Sequence, residues 1–194
     1  MKILIFVVWI LFKNSFTQVP IEGKCNEFKN CTEPYLKINA DAFDGIYFLY
    51  AFVPTFKVEY NQKCTYFEFN KTTHGTRNFY KFEIDSETNE ERITSAEFRV
   101  GLNGTIEAKY TELQIELKYK IVALTKDVIV LLSCYECGFL SKEGAGISAL
   151  GLSRYSSPNC EISTIILRKF RECGIFESYV EYQDQENCND CVLY

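Results

Sequence analysis

The sequence predicts a mainly β protein: an eight-stranded antiparallel barrel followed by a C-terminal α-helix and cross-linked by disulfide bonds. Three observations support this fold class. Short segments rich in aromatic and β-branched residues follow one another between turn signals, which is typical of a barrel or a sandwich. The connections between them are too short for crossover helices, so neighbouring strands are expected to be antiparallel. Nine cysteines are available for cross-links.

Eight segments account for the predicted barrel. Segment 46–53 is apolar on both faces, and segment 105–124 alternates apolar and polar residues most clearly from Gln114 to Ile121. Eight antiparallel strands can close into a barrel that holds one small ligand, and closure leaves no exposed sheet edge. In chain order the segments are 46–53, 64–70, 79–85, 93–100, 105–124, 127–135, 137–141 and 147–153.

The pattern beyond residue 156 predicts a helix. Pro158 suits a first helical turn, and Gly174 can supply the left-handed residue that ends the helix. The alternative is a strand over the β-branched run 162–166. Four residues at steps of three and four form the apolar face of the predicted helix: Ile162, Ile166, Phe170 and Cys173.

Residues 1–18 predict a secretory signal peptide. An apolar stretch, 3–12, follows Met1-Lys2 and precedes polar residues. Spanning a bilayer takes about 20 apolar residues, so this stretch is too short. Small residues place the cleavage after Thr17 or Gln18. We therefore expect a secreted, extracellular protein with a single domain, residues 19–194, and no membrane span.

The net charge limits the possible partners, and the sequons agree with an extracellular location. A formal net charge of −5 argues against nucleic acid as a partner, because nucleic acid binding needs a clustered positive surface. Three Asn-x-Thr sequons predict exposed N-glycans at Asn30, Asn70 and Asn103.

The cysteines predict up to four disulfides and one unpaired thiol, and the spacing does not say which residue is left over. Zinc is the alternative, because Cys134-x-x-Cys137 and Cys188-x-x-Cys191 have a zinc-ligand spacing. Secretion favours disulfides, and His74 is the only imidazole in the chain. We expect no metal and no cofactor.

No catalytic group stands out. His74 lies in a predicted hairpin turn, where an exposed turn residue is more common than a general base. Gly144-Ala145-Gly146 precedes a strand instead of a helix, so it is not a phosphate loop. The sequence therefore predicts a protein that is not an enzyme.

The aromatic content, 13 Tyr and 16 Phe, suggests either a packed core or an aromatic-lined pocket. Strict alternation would place Tyr47, Leu49, Ala51 and Val53 on one face of the first strand. The charged strand residues Glu68, Glu83, Glu97 and Arg99 are expected on the outer face. The candidate ligand-binding residues are Phe48, Tyr50, Phe67, Phe69, Tyr80, Phe82, Phe98, Leu117 and Tyr119.

Several motifs, taken in order, resemble the salivary lipocalins of ticks, the group that includes the histamine-binding proteins. The segment Phe43-Asp44-Gly45-Ile46-Tyr47-Phe48-Leu49-Tyr50 resembles the first lipocalin strand, with Tyr47 where many members have Trp. The resemblance covers nearly the whole chain after residue 18 and implies one lipocalin domain over 19–194. Its other motifs are Lys63-Cys64-Thr65-Tyr66, Pro158-Asn159-Cys160, Lys169-Phe170-Arg171-Glu172-Cys173-Gly174 and Tyr179-Val180-Glu181-Tyr182.

The resemblance implies a disulfide pattern. Cys137 would pair with Cys160, which ties the barrel to the helix. Cys64 would pair with Cys188 or Cys191, which ties the barrel to the tail. Cys173 would then pair with Cys25 or Cys31.

The resemblance also implies a function at the feeding site. Amine-binding members carry acidic residues and a Trp where this chain has Cys137-Gly138-Phe139 and Ala149-Leu150-Gly151, so capture of histamine or serotonin is not favoured. The japanin-like branch fits better. It implies modulation of host dendritic cells, through a host immune-cell receptor, and binding of a small apolar ligand such as cholesterol or a fatty acid. Leukotriene capture and complement binding are the alternatives.

Overall fold

The computed structural model describes residues 20–22, 40–54, 61–72, 77–101, 104–112, 114–136, 144–186 and 188. Its strands are β1 (Pro20–Glu22), β2 (Gly45–Val53), β3 (Gln62–Lys71), β4 (Arg77–Asp85), β5 (Glu91–Val100), β6 (Thr105–Tyr110), β7 (Ile115–Leu124), β8 (Val128–Glu136), β9 (Gly144–Ser153) and β10 (Glu181–Tyr182). One α-helix, α1 (Cys160–Glu172), and two 3-10 helices, Ala40–Phe43 and Glu177–Tyr179, complete the described elements.

Strands β2 to β9 form a closed antiparallel barrel. Each pairs with the next along the chain, and β9 also pairs with β2, which closes the ring. The short strands β1 and β10 add to β9 and β2 respectively. The predicted eight-stranded antiparallel barrel with a C-terminal helix is therefore confirmed.

The predicted division into strands needs one correction. Segment 105–124 is not a single strand but a hairpin, β6 and β7, whose turn contains Gln114 at φ 52°. The predicted strand 137–141 lies outside the described residues. The count of eight barrel strands is right, but it arises from a different partition of the chain.

Arg154 closes the end of the barrel at which β2 begins and β9 ends. Its guanidinium donates to Asp44 O at 2.6 Å and to Ile46 O at 3.2 Å. Its Cζ lies 3.8 Å from the centroid of the Tyr47 ring, which is a cation–π distance. Arg77 forms an ion pair with Asp44 at the same end. We call this the closed end and the opposite one, where Val53 lies, the open end.

The predicted helix is confirmed as α1. Asn159 is its N-cap and accepts a hydrogen bond from Ile162 N at 3.0 Å, and Gly174 follows its end at φ 76°. The buried face of α1 packs on the outside of the barrel. Gly151 on β9 allows this close approach, because a Cβ there would overlap Ile166 and lie 3.4 Å from Phe170 Cζ.

A β-bulge in β2 breaks the alternation expected from the sequence. The register between β2 and β9 shifts between Leu49 and Ala51. Phe52 therefore joins the barrel interior with Leu49, whereas Ala51 and Val53 pack in the cluster beneath α1. The prediction that Ala51 and Val53 share a face with Leu49 is wrong for this reason.

Residues 181–186, which we call the tail, fill a gap between β2 and β3. These strands pair with each other only near the closed end, and β10 pairs with the open-end half of β2. Gln185 Nε2 bridges the gap, donating to Leu49 O at 2.9 Å and to Thr65 O at 2.7 Å. A disulfide between Cys64 and Cys188 holds this segment on the barrel.

The disulfides are only partly those implied by the resemblance. The Cys64–Cys188 bond confirms one of the two pairings considered for Cys64. Cys173 and Cys134 are also disulfide-bonded, which excludes Cys134 and Cys188 as zinc ligands. Cys160 is a free, exposed thiol, so the predicted Cys137–Cys160 bond is wrong. Cys160 is the first residue of α1, beyond the helix's buried face.

The remaining cysteines of the predicted disulfides lie outside the described residues: Cys25, Cys31, Cys137 and Cys191. The pairing of Cys173 with Cys25 or Cys31 therefore stays a prediction. The predicted signal peptide (1–18), His74 and the sequons at Asn30 and Asn103 lie outside the described residues too. The remaining sequon residue, Asn70, is exposed on β3, as a glycan acceptor must be.

Candidate ligand-binding site

The closed half of the barrel interior is filled with aromatic and aliphatic side chains. Alternation along the strands turns one face of each strand inward, and these residues form a single buried cluster. A void of about 10 Å³ remains among them, room for about one water molecule. The void is lined by Phe67, Phe69, Phe79, Ile106, Tyr110, Tyr119, Leu131, Leu150 and Leu152.

Phe98 lies at the centre of this packing. It is 1% exposed, and its ring centroid lies 5.6 Å from that of Phe69, 5.9 Å from that of Phe43 and 6.0 Å from that of Phe79. The Phe69 and Phe98 rings meet edge to face, which is a favourable aromatic geometry. In this half of the barrel the packed-core alternative describes the aromatic residues.

The interior becomes polar toward the open end. Lys81 and Glu83 follow Phe79 at alternate positions of β4, so both side chains face inward, and they form an ion pair. Their side chains are 17% and 7% exposed. The expectation that Glu83 lies on the outer face is wrong, whereas Glu97 is exposed and faces outward as expected.

No signal in the sequence indicates the inward position of Glu83. The segment 79–85 alternates with aromatic residues on both faces, so the pattern does not say which face is inside. The other three charged strand residues do face outward: Glu97 and Arg99 are exposed and Glu68 is half-buried.

Hydroxyl groups accompany the Lys81–Glu83 pair on the inner face. Thr65, fully buried, and Ser133, 2% exposed, continue the inward rows of Phe67 and Leu131 toward the open end. Neither Thr65 Oγ1 nor Ser133 Oγ has a hydrogen-bond partner in the described structure. A buried polar atom without a partner costs free energy, so these atoms favour a polar guest or a buried water molecule.

An ion pair inside the barrel also favours a polar guest. Removing two charges from water costs free energy that their mutual attraction repays only with good geometry and further hydrogen bonds. Lys81 Nζ donates one such bond, to Gln62 Oε1 at 3.2 Å. The open half therefore offers both a hydrogen-bond donor and acceptors above an apolar floor.

Two tyrosines mark the boundary between the halves. Tyr110 and Tyr119 line the small void, and their hydroxyl oxygens lie 3.3 Å apart, within hydrogen-bond distance. Their rings belong to the apolar cluster, and one of the two hydroxyls donates to the other.

The structure divides the predicted ligand-binding residues into two groups. Those that face the interior are Phe67, Phe69, Phe98, Leu117 and Tyr119. Those that face outward are Phe48, Tyr50, Tyr80 and Phe82, so their predicted place in the pocket is corrected. On β4 the inner face is that of Phe79, opposite to the face of Tyr80 and Phe82. Tyr50 is turned toward the tail by the bulge in β2, where its ring contacts Tyr182.

Sequence reasoning also missed inward residues. Tyr47, Leu49 and Phe52 belong to the interior cluster. The alternation set that contains Tyr47 and Leu49 is visible in the sequence, but both faces of segment 46–53 are apolar. Among the described residues, no group of three or more His, Cys, Asp or Glu side chains could hold a metal ion.

These features together define a lipocalin-type barrel: eight antiparallel strands in a closed ring, Arg154 bonded across one end, and a helix packed on the outside. Solved structures with the same fold include insecticyanin from the tobacco hornworm Manduca sexta, at a TM-score of 0.71 and 15% identity over 88% of this chain and 90% of that chain. Lobster apocrustacyanin A1 gives a TM-score of 0.69 at 13% identity, over 87% and 92%. The cockroach allergen Per a 4 gives 0.65 at 11% identity, over 82% and 95%.

These neighbours are lipocalins, and the chain has the lipocalin fold. At identities this low the likeness establishes the fold alone. No family model and no curated protein matches the sequence. In the part of the chain that the structure describes, no helix has the length and apolar character needed to cross a bilayer.

Proposed function

We propose that this protein binds one small, largely apolar molecule, such as a sterol or a fatty acid, in the open half of its barrel and catalyses no reaction. The observation that carries the proposal is the change inside the barrel from an apolar floor to a polar rim. Such a surface suits a guest with an apolar body and one hydrogen-bonding group. Burying the apolar body contributes about 25 cal/mol per Å².

The filled closed half limits where the guest can lie. Pockets for molecules of this size have volumes of about 300–1,000 Å³, far above the void of about 10 Å³ beneath Tyr110 and Tyr119. The guest therefore lies above these tyrosines, next to Leu117 and the Lys81–Glu83 pair.

The first experiment measures binding of cholesterol and oleic acid to the purified protein, together with mass analysis of whatever organic solvent extracts from it. Leu117→Arg places a charge on the inner face, so we expect the affinity to fall at least about tenfold, or about 1.4 kcal/mol. Glu116→Arg is the matched control, because it puts the same side chain on the exposed face of the same strand. The proposal would be refuted if no lipid is extracted and neither added lipid binds, or if Leu117→Arg and Glu116→Arg bind lipid equally well.

The Lys81–Glu83 pair also favours a second candidate, capture of a charged mediator such as an amine or a leukotriene. A cationic amine can replace Lys81 as the partner of Glu83, and a carboxylate can replace Glu83 as the partner of Lys81. Calorimetry with histamine, serotonin and a leukotriene distinguishes this candidate from the first. Glu83→Gln should abolish amine binding and leave cholesterol binding within about a factor of two, since the hydrogen-bond acceptor remains.

The resemblance to the tick salivary proteins supports an extension of the proposal: a secreted glycoprotein of saliva that modulates dendritic cells or inflammation. A host immune-cell receptor would be its protein partner, and a complement factor is the alternative. The test is maturation of dendritic cells exposed to the wild-type protein, Leu117→Arg and Glu116→Arg. Loss of the effect in Leu117→Arg alone ties it to the guest, and loss in neither assigns it to the protein surface. Unchanged maturation with the wild-type protein would contradict the extension.

A further inference from the structure

The tail carries two glutamines on its inner side. Tyr182 is exposed and contacts the outward ring of Tyr50, and Asp184 is exposed as well. Because side chains alternate along an extended chain, Gln183 and Gln185 point to the opposite side, toward the barrel interior. Gln183 is 9% exposed, and Gln185 is half-buried. The tail therefore contributes part of the wall of the open half.

Backbone carbonyl groups fix the orientation of both side-chain amides. Gln185 Nε2 donates to Leu49 O and to Thr65 O, in the gap between β2 and β3. Gln183 Nε2 donates to Gln62 O at 2.5 Å. Turning either amide over would place its oxygen against a carbonyl oxygen, which has no hydrogen to donate. Each glutamine therefore uses its amide nitrogen to hold the tail on the barrel and has its amide oxygen left for another partner.

Both of these amide oxygens are buried, and neither has a hydrogen-bond partner among the described residues. The same holds for Thr65 Oγ1, on the fully buried residue of β3 whose carbonyl oxygen accepts from Gln185. An amide oxygen can only accept a hydrogen bond, whereas a hydroxyl group can accept or donate. Unpaired buried acceptors cost free energy, so a partner that donates hydrogen bonds would stabilise this part of the barrel.

We propose that Gln183, Gln185 and Thr65 bind the polar group of the guest and select one that donates a hydrogen bond, such as the hydroxyl of a sterol or of a long-chain alcohol. The guest is the apolar molecule of the proposed function, on which this inference rests. An ionised carboxylate or a ketone can only accept hydrogen bonds, so neither satisfies the amide oxygens. Lys81, a cationic donor on the inner face, is already paired with Glu83.

Two matched pairs of probes test the direction of these hydrogen bonds. Cholestenone has the ring system of cholesterol with a ketone in place of the hydroxyl group. Oleate has the chain of oleyl alcohol with a carboxylate in place of the hydroxyl group. In calorimetry at neutral pH we expect each hydroxyl-bearing probe to bind at least about tenfold more tightly than its matched partner, because the partner leaves buried acceptors unpaired.

Thr65→Val separates binding from folding. It replaces a buried hydroxyl that has no described partner by a methyl group of similar size, so the Tm of the guest-free protein should not fall. Binding of cholesterol should weaken by about fivefold, and binding of cholestenone should stay within about a factor of two. Thr65→Ser is the matched control, because it keeps the hydroxyl and should keep the preference for cholesterol. Gln183→Met removes the amide at a similar side-chain length and should reduce that preference.

The outcomes distinguish this inference from the proposed function. Equal affinities for cholesterol and cholestenone, with both bound, would overturn the selection of a donor and leave the binding of an apolar guest standing. Binding of none of the four probes would overturn both. A lower Tm for guest-free Thr65→Val would also count against the inference, because Thr65 Oγ1 would then have a partner, such as a buried water molecule, before any guest binds.

Discussion

Phe98→Ala tests the division of the barrel into a filled half and an open half. Phe98 is 1% exposed, and three other rings surround it at centroid distances of 5.6–6.0 Å. Truncating a phenylalanine in such a site costs about 3–5 kcal/mol, because the lost apolar contacts are followed by a cavity. For a chain of this length each kcal/mol corresponds to about 2–4 °C in Tm, so we expect Tm to fall by about 6–20 °C.

Phe82→Ala is the matched control for Phe98→Ala, because both residues have the same side chain and were expected in the same pocket. Phe82 is half-buried on the outer face, so its loss should cost about 1 kcal/mol, near the average for point mutations. Urea unfolding followed by circular dichroism measures both variants. A second readout is benzene, which should raise the Tm of Phe98→Ala alone by filling the new apolar cavity. Equal destabilisation by the two variants would show that the inner and outer faces have been assigned wrongly.

Three further expectations follow from the fold. Gly151→Ala should lower the free energy of unfolding by about 1–3 kcal/mol in urea, since its methyl group would overlap Ile166; an unchanged midpoint would contradict the close packing of α1. Replacing Cys64 and Cys188 by Ala should lower the free energy of unfolding by about 4–5 kcal/mol in the chain-entropy model, because the bond closes a loop with a sequence separation of 124. Denaturation of both proteins under oxidising conditions measures the difference. A loss below about 1 kcal/mol would count against the chain-entropy explanation. Burial raises the pKa of Tyr47 above its ordinary value of 10.0, so above pH 10 the folded state keeps a proton that the unfolded state releases. The free energy of unfolding should therefore fall as pH rises beyond 10, and it should fall less steeply in Tyr47→Phe. Parallel pH profiles of the two proteins would refute this assignment.

The strands and the helix could be predicted because local patterns determine them. The helical spacing of Ile162, Ile166 and Phe170 and the glycine that follows them are visible in any window of the sequence. The hairpin within 105–124 was missed because its turn contains no Gly or Pro. Gln114 adopts a positive φ there, which side chains other than Asn and Asp rarely do.

The site was harder to predict, because the inner face of a strand depends on contacts between distant residues. The bulge after Leu49 changes the direction of every later side chain in β2, and the alternation does not reveal it. Phe82 and Phe98 look equivalent in sequence, yet strand pairing places one outside and the other inside. Glu83 lies inside because Phe79 does, and only the closed barrel establishes that. Cys160 is free and exposed at the first residue of α1, and the spacing of the cysteines does not reveal this.

The hydrogen bonds of Arg154 at the start of the first barrel strand have a consequence for folding during translation. Its hydrogen bonds to Asp44 O and Ile46 O join groups 110 and 108 residues apart, and β9 completes the ring at a similar separation. Contacts so remote in sequence form slowly, and they cannot form until the ribosome has released β9 and Arg154. The nascent chain therefore carries an open sheet edge for most of its translation. A chaperone that shields this edge would protect the chain from aggregation until β9 has been synthesised and can pair with β2.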